Sequence, residues 1–328
     1  YTLLLAEVQA DRWSSYYKIE NTTVCAAQNI VQTVPAILLD PLWNLLGFNK
    51  ANLTPVAFKN KFGVFGEPTT LGAILGIVIG VLGNIKDLTT IKAWGQILQF
   101  AVQLSAVMTI FPLVTNVFSK AFTPLAKQID KERKQSKNQK AEADPVHDKK
   151  RWFLAVDDGV GYGESATIIS GIILIPIMVV IAFLLPGNKT LPVVDLISLP
   201  FMVESIVAIT DGNILKVIAN GIVWFSLGLY AASWLDSIYT GAISQYGATI
   251  PAGIVLVTSF NLMARPLNAL VFAAFISQNP LWISLCIIVY LALLFILRKY
   301  RPQIWTYLNK MANKNVHANQ DLKPSPKD

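Results

Sequence analysis

An all-α polytopic membrane fold, interrupted by broken helices and re-entrant hairpins, is the class this sequence predicts. Three observations point to it. The 328 residues are 53% apolar and 14% charged, with a mean hydropathy of +0.49; soluble domains carry roughly 25% charged residues. The charges are clustered. They leave 27 uncharged residues between Lys92 and Lys120, 24 between Glu164 and Lys189, 28 between Asp236 and Arg265, and 32 between Arg265 and Arg298. A crossing helix needs about 20 apolar residues, so each gap has room for one. Finally, prolines and carboxylates break into two apolar stretches, a pattern suited to backbone buried in protein rather than facing lipid.

The net charge of +7 reflects loops rich in Lys and Arg, as the positive-inside rule describes, and is not a nucleic-acid signal. Two cysteines, Cys25 and Cys286, give no disulfide or metal framework, and no cofactor is implied. Cys286 lies in an apolar stretch and reads as a small core residue. His147 and His317 both lie in hydrophilic segments, so neither reads as a ligand.

The elements follow in order. Thr2–Ala6 is apolar and runs into polar sequence; it reads as the end of a span lost from a truncated chain. Ala6–Gln28 reads as a loop or interfacial segment. Asn29–Phe48 carries Pro35, Asp40 and Pro41 and reads as a broken or re-entrant element. Pro68–Ile85 is a short span whose Gly72, Gly76 and Gly80 share one helix face, which favours a close packing seam. Ala93–Ser119 returns across the membrane. Lys120–Arg151 holds ten Lys or Arg and five Asp or Glu and reads as cytoplasmic, as does the tail from Arg298. Six elements are expected between these two breaks: Ser165–Pro186, Pro192–Thr210, Val217–Leu235, Ala248–Phe260, Pro266–Ser277 and Leu281–Leu297. The organisation is thus a partial N-terminal membrane region over 1–61, helices over 62–119, a charged loop over 120–151, a C-terminal membrane half over 152–297 and a tail over 298–328.

Two motifs carry the chemistry. Phe65-Gly66-Glu67-Pro68 places a carboxylate between chain breakers at the mouth of an apolar span, where a charge is costly to keep. Such a pattern suits an interrupted helix that builds a polar site; it also suits an interfacial turn with Pro68 as first helical residue. The second motif, Pro186–Asp211, combines Pro186, Pro192 and Pro200 with Asp195 and Glu204.

At these regions the chain resembles enzyme IIC, the membrane permease subunit of the bacterial phosphoenolpyruvate-dependent sugar phosphotransferase system (PTS), galactitol type. KFGVFGEPTTLGAILGIVIGVLG at Lys61–Gly83 is similar to the family's K-F-G-x-F-G-E-P signature and the span after it. TPLAKQ at Thr123–Gln128 and PGNKTLPVVDL at Pro186–Leu196 match in the same order, from about Asn44 onward. Two stretches depart from the family pattern: NTTVCAAQN at Asn21–Asn29, and Glu164, where His is common. The resemblance implies the ascorbate/galactitol-type PTS permease architecture, a polyol or sugar substrate, IIA and IIB protein partners and a homodimer in the plasma membrane. It also implies that the phosphoryl-transfer residue sits on IIB.

A polyol offers only hydroxyls, and carboxylates accept these strongly. The substrate-binding candidates are Glu67 and Asp195, with Gly66, Pro68, Asn188 and Glu164, and Glu204 is weighed beside Glu164. Competing readings pair Glu67 with Lys61, make Asp195 a helix cap, give Asn188 a turn role, and make Glu164 or Glu204 an ion-pair partner of, for instance, Arg265. The rival function is an ion-coupled secondary transporter using the same carboxylates. An intramembrane enzyme would need a nucleophile–base pair or a metal triad, and the apolar spans hold no His.

Overall fold

Helix α1 covers Thr2–Tyr17, where a loop was expected after Ala6. Several of the polar residues that suggested a loop, Asp11, Arg12 and Ser14, are instead buried and paired. Arg12 Nε donates to the Ala208 carbonyl and its guanidinium pairs with Asp211; Ser14 bonds the Ile19 carbonyl; Asp11 accepts from Asn309. Polar side chains are tolerated inside when each finds a partner, so a mixed composition is compatible with a buried helix. Thr2–Ala6 forms the first turn of this helix. The computed structural model describes residues 1–50, 63–136, 153–161, 164–192, 195–247 and 256–320.

Beyond α1, strand β1 (Thr22–Val24) pairs in parallel with β2 (Leu154–Val156), Thr22 opposite Leu154. Helices α2 (Ala27–Ile30) and α3 (Thr33–Leu45) realise the expected broken element, with Pro41 inside α3.

Helices α4 (Pro68–Gly83) and α5 (Ile91–Ser136) form an antiparallel hairpin. The glycine face is its seam. A Cβ at Gly72 would meet Leu104 O at 2.9 Å, one at Gly76 the Ala101 Cα at 2.5 Å, and one at Gly80 the Ile97 Cα at 2.9 Å. No side chain fits at Gly76 unless the helices part. Helix α5 has 46 residues, about 69 Å at 1.5 Å per residue, which is more than twice a hydrocarbon core of about 30 Å. The expected return span and the start of the charged break are therefore one continuous helix; 137–152 lies outside the described residues.

Helix α6 (Ser165–Leu184) runs through the middle of the core. Its Ile168, Ile172, Ile175 and Met178 share one buried cluster with Leu196, Leu199, Met202 and Ile206 of the following segment and with Leu75, Ile79, Leu104 and Met108 of the hairpin. The proline-rich segment is broken, as expected: a 3-10 turn at Asp195–Ser198, then α7 (Leu199–Met202) and α8 (Glu204–Thr210). Gly171 of α6 lets this segment in; a Cβ there would lie 2.3 Å from the Pro200 Cα.

Helix α9 (Ile214–Gln245) is longer than the expected Val217–Leu235. Of the expected Ala248–Phe260 element, 248–255 lies outside the described residues, and helix resumes only at α10 (Phe260–Met263). Helices α11 (Pro266–Ile276) and α12 (Pro280–Lys299) match their expected positions. Ile91–Ile110 within α5, α6, Ile214–Ile243 within α9, and α12 are long and apolar enough to cross a membrane. No residue of α12 is buried, so its apolar surface is available to lipid. Cys286 sits there half-buried, not in the core, because α12 packs lightly on its neighbours.

The expected tail is structured over α13 (Arg301–Gln320). Trp305, Leu308 and Met311 are buried, the Arg301 guanidinium reaches Glu7 Oε1 at 2.7 Å, and Trp305 Nε1 donates to the Glu7 carbonyl. Arg301 lies beside this apolar face, which docks on α1.

Candidate functional site

The break at Val203 gathers a set of buried polar groups around α8. Val203 caps α7 and opens α8 with φ −93° and ψ −6°. In a continuous helix the Ser205 N–H would donate to the Phe201 carbonyl. Here the carboxamide of Asn29, fully buried on α2, stands between them. Its Nδ2 donates to Phe201 O at 2.8 Å, and its Oδ1 accepts from Ser205 N at 3.0 Å and from the Ser205 hydroxyl. Nδ2 also reaches Glu204 Oε2 at 3.1 Å. On its other side, the fully buried Glu204 carboxylate presses on Gly161, where a Cβ would be 2.6 Å from Oε2.

A second carboxylate joins through α1 and α6. Glu164 caps α6, with Oε2 accepting from Thr167 N at 2.9 Å and from Thr167 Oγ1 at 3.1 Å. Tyr17 Oη lies 2.9 Å from Thr167 Oγ1 and donates to the Glu204 carbonyl at 3.3 Å. Burial pushes the hydroxyls of Tyr16 and Tyr17 well above the usual tyrosine range, and the nearby carboxylates add to this. Both are O–H donors at neutral pH. The cluster thus offers donors and acceptors in a dry setting, which suits recognition of neutral hydroxyls.

The other candidates lie apart. Gly66 closes a 3-10 turn, Glu67 is the N-cap of α4 in extended conformation, and Pro68 opens the helix. Lys61, the competing partner for Glu67, falls outside the described residues. Asp195 Oδ2 accepts from the Asn261 N–H at 3.4 Å, which links the 3-10 turn to α10. With Glu204 beside Gly161 and Pro200 beside Gly171, the broken segment runs antiparallel to α6. Asp195 therefore lies farther along α6 from its N-terminus, away from Glu164. Asn188 holds a turn: Nδ2 donates to the Ala182 and Thr190 carbonyls, and Oδ1 accepts from Ser233 Oγ at 2.8 Å. Among the described residues, no hydrogen bond joins Glu164, Asn188 and Asp195 to one another. Arg265, suggested as an ion-pair partner, donates to the Asn261 carbonyl.

A separate polar knot joins α3 to α9. Lys216 Nζ lies 2.8 Å from Asp40 Oδ1 and 2.7 Å from Asn44 Oδ1, and Asn44 Nδ2 donates to Asp40 Oδ2 at 2.6 Å. Lys216 and Asp40 are both buried. Asp40 argued against a lipid-facing helix, but its partner 176 residues away carried no local signal. Asn29 was missed for the same reason; its only trace was its place in a stretch that departs from the family pattern.

Comparison with known proteins decides the family. The model of EIIC-GAT, the PTS system sugar-specific permease component, matches residues 1–253. The chain belongs to that family. The match begins at residue 1, so it takes in the first 43 residues that the motif resemblance left out, and it stops short of α10–α13. The chain is 28% identical over 266 residues to the galactitol-specific EIIC component of Escherichia coli K12, covering 81% of this chain and 55% of that one. It is 23% identical over 241 residues to a putative permease IIC component of the same strain, covering 73% and 51%. The chain thus spans about half the length of the curated relatives it matches. No solved structure matches it.

Proposed function

We propose that this chain acts as part of a galactitol-type permease that takes up a sugar alcohol while a IIB partner, charged by IIA, phosphorylates it. The family match over residues 1–253 carries the reading, and the name of the galactitol-specific relative supports the polyol. Carboxylates and hydroxyls set among apolar helices suit a ligand that offers only hydroxyls. Glu67 and Asp195 are the proposed hydroxyl acceptors, with Glu164 at the α6 N-terminus. Gly66 and Pro68 shape the backbone around Glu67, and Asn188 holds the turn that leads to Asp195. Transfer of the phosphoryl group from the IIB cysteine to a polyol hydroxyl would free the thiolate and release the hydroxyl proton, and the charged product could not return. The basic 120–151 segment and the C-terminal end lie on the cytoplasmic side in this proposal, in keeping with their Lys and Arg. A homodimer is part of the same proposal.

Membrane vesicles containing the chain test this with labelled galactitol, with and without phosphoenolpyruvate and the cytoplasmic phosphotransferase proteins. The expected result is accumulation of the phosphate ester only with the phosphoryl donor, lost in Glu67→Gln. Accumulation of free polyol that collapses with a proton or sodium ionophore would replace the proposal with the ion-coupled transporter.

A further inference from the structure

We propose that Asn29 is the positioning residue that keeps the 199–210 helix open at Val203 and aims the Glu204 carboxylate for hydroxyl recognition. The proposal rests on the polyol reading and adds Asn29 to the site, with Glu204 as the carboxylate it aims.

The argument is one of hydrogen-bond inventory. A side chain inserted into a helix ladder must replace one donor and one acceptor together. A carboxamide does both: Asn29 donates to Phe201 O and accepts from Ser205 N. Its second N–H reaches Glu204 Oε2, and its carbonyl also takes the Ser205 hydroxyl. Aspartate lacks the donor, and leucine lacks both functions. Asn29 belongs to the N-terminal α2, a neighbour of α8 in space but not in sequence. The break is therefore imposed from outside the helix, and Pro200 by itself does not account for it. Pro200 stands in the first turn of α7, where proline is tolerated.

Among the described residues, charged and titratable groups reach the surroundings of α8 from several elements. From α1 come Tyr16, Tyr17, Asp11 and Arg12, the last paired with Asp211; Glu164 caps α6. The α3 and α9 groups, Asp40 and Lys216, are paired with each other. From α13, Asn309 holds Asp11.

The test uses the full chain purified in detergent micelles, with labelled galactitol as probe and thermal unfolding followed in parallel from pH 5 to pH 8. Asn29→Asp sets a second carboxylate against Glu204, and the pair then shares a proton at a raised pKa. Stability held below the ordinary carboxylate range is lost as pH rises through that raised value. The unfolding temperature of Asn29→Asp should fall more steeply with pH than that of the unchanged chain, and adding Glu204→Gln should reduce the difference. Galactitol affinity of Asn29→Asp should drop about tenfold over the same range. An unfolding temperature that falls no more steeply than that of the unchanged chain would overturn the contact, and an affinity that ignores pH would overturn the positioning role. Absence of galactitol binding by the unchanged chain would sink the polyol reading instead, and the unfolding profile would still decide the contact. If Asn29→Asp does not fold, Glu204→Gln, which retains an acceptor for Asn29, should bind galactitol about tenfold more weakly; equal binding would overturn the proposal.

Discussion

The α4–α5 hairpin and the broken α7–α8 segment are both membrane-type structure, yet they are held by opposite means. The hairpin closes on a glycine face, and its side-chain hydrogen bonds, such as Thr69 to Thr109 and Ser105 to the Thr69 carbonyl, tie its two helices to each other. Toward α6 it presents apolar Leu75, Ile79, Leu104 and Met108. The broken segment is gripped by polar side chains from distant parts of the chain: Arg12, Tyr17 and Asn29. The seam depends on close contact between sequence-adjacent helices, whereas a buried polar network demands that every member be satisfied. The first arrangement suits a rigid frame with Glu67 at its mouth, the second a polar cluster whose geometry distant segments set.

That contrast can be broken most forcefully at the polar knot. Asp40→Leu or Lys216→Met should each destabilise the chain by about 3–5 kcal/mol, because the remaining charge is left buried. The double variant should recover most of the loss, as seen by thermal unfolding in micelles. Additive losses would mean the two residues do not act as a pair. Next in size comes the seam. Gly76→Val should cost about 1–3 kcal/mol through overpacking against Ala101. Cysteine crosslinking between α4 and α5 should weaken in parallel. A smaller effect belongs to the α6 cap, where Glu164→Ala should cost about 1 kcal/mol by leaving the Thr167 N–H without its acceptor. The smallest is expected on α12: Leu285→Val should change stability by less than about 0.5 kcal/mol. A larger loss there would show that this exposed helix packs against protein.

Legibility in sequence follows the same division. The α4 seam was readable because glycines four apart must share a helix face. The spans α6 and α12 were readable because uninterrupted apolar runs of that length have few other uses. The broken segment was readable as broken from its prolines, but where it breaks depends on Asn29. Among the candidate residues, Glu164 was placed in the buried cluster while Glu67 and Asp195 lie elsewhere. Glu204 was noticed, but its partner was sought in Arg265.

Spacing and composition alone settled the membrane class, the spans α6 and α12, the glycine seam and the family resemblance, because each depends on periodicity or on a short contiguous motif. The burial of polar α1, the docking of α13, the Asp40–Lys216 pair and the Asn29 insertion emerged only when distant segments were brought together. A polar residue reads the same in sequence whether water or a side chain 175 positions away satisfies it, and folding selects between the two.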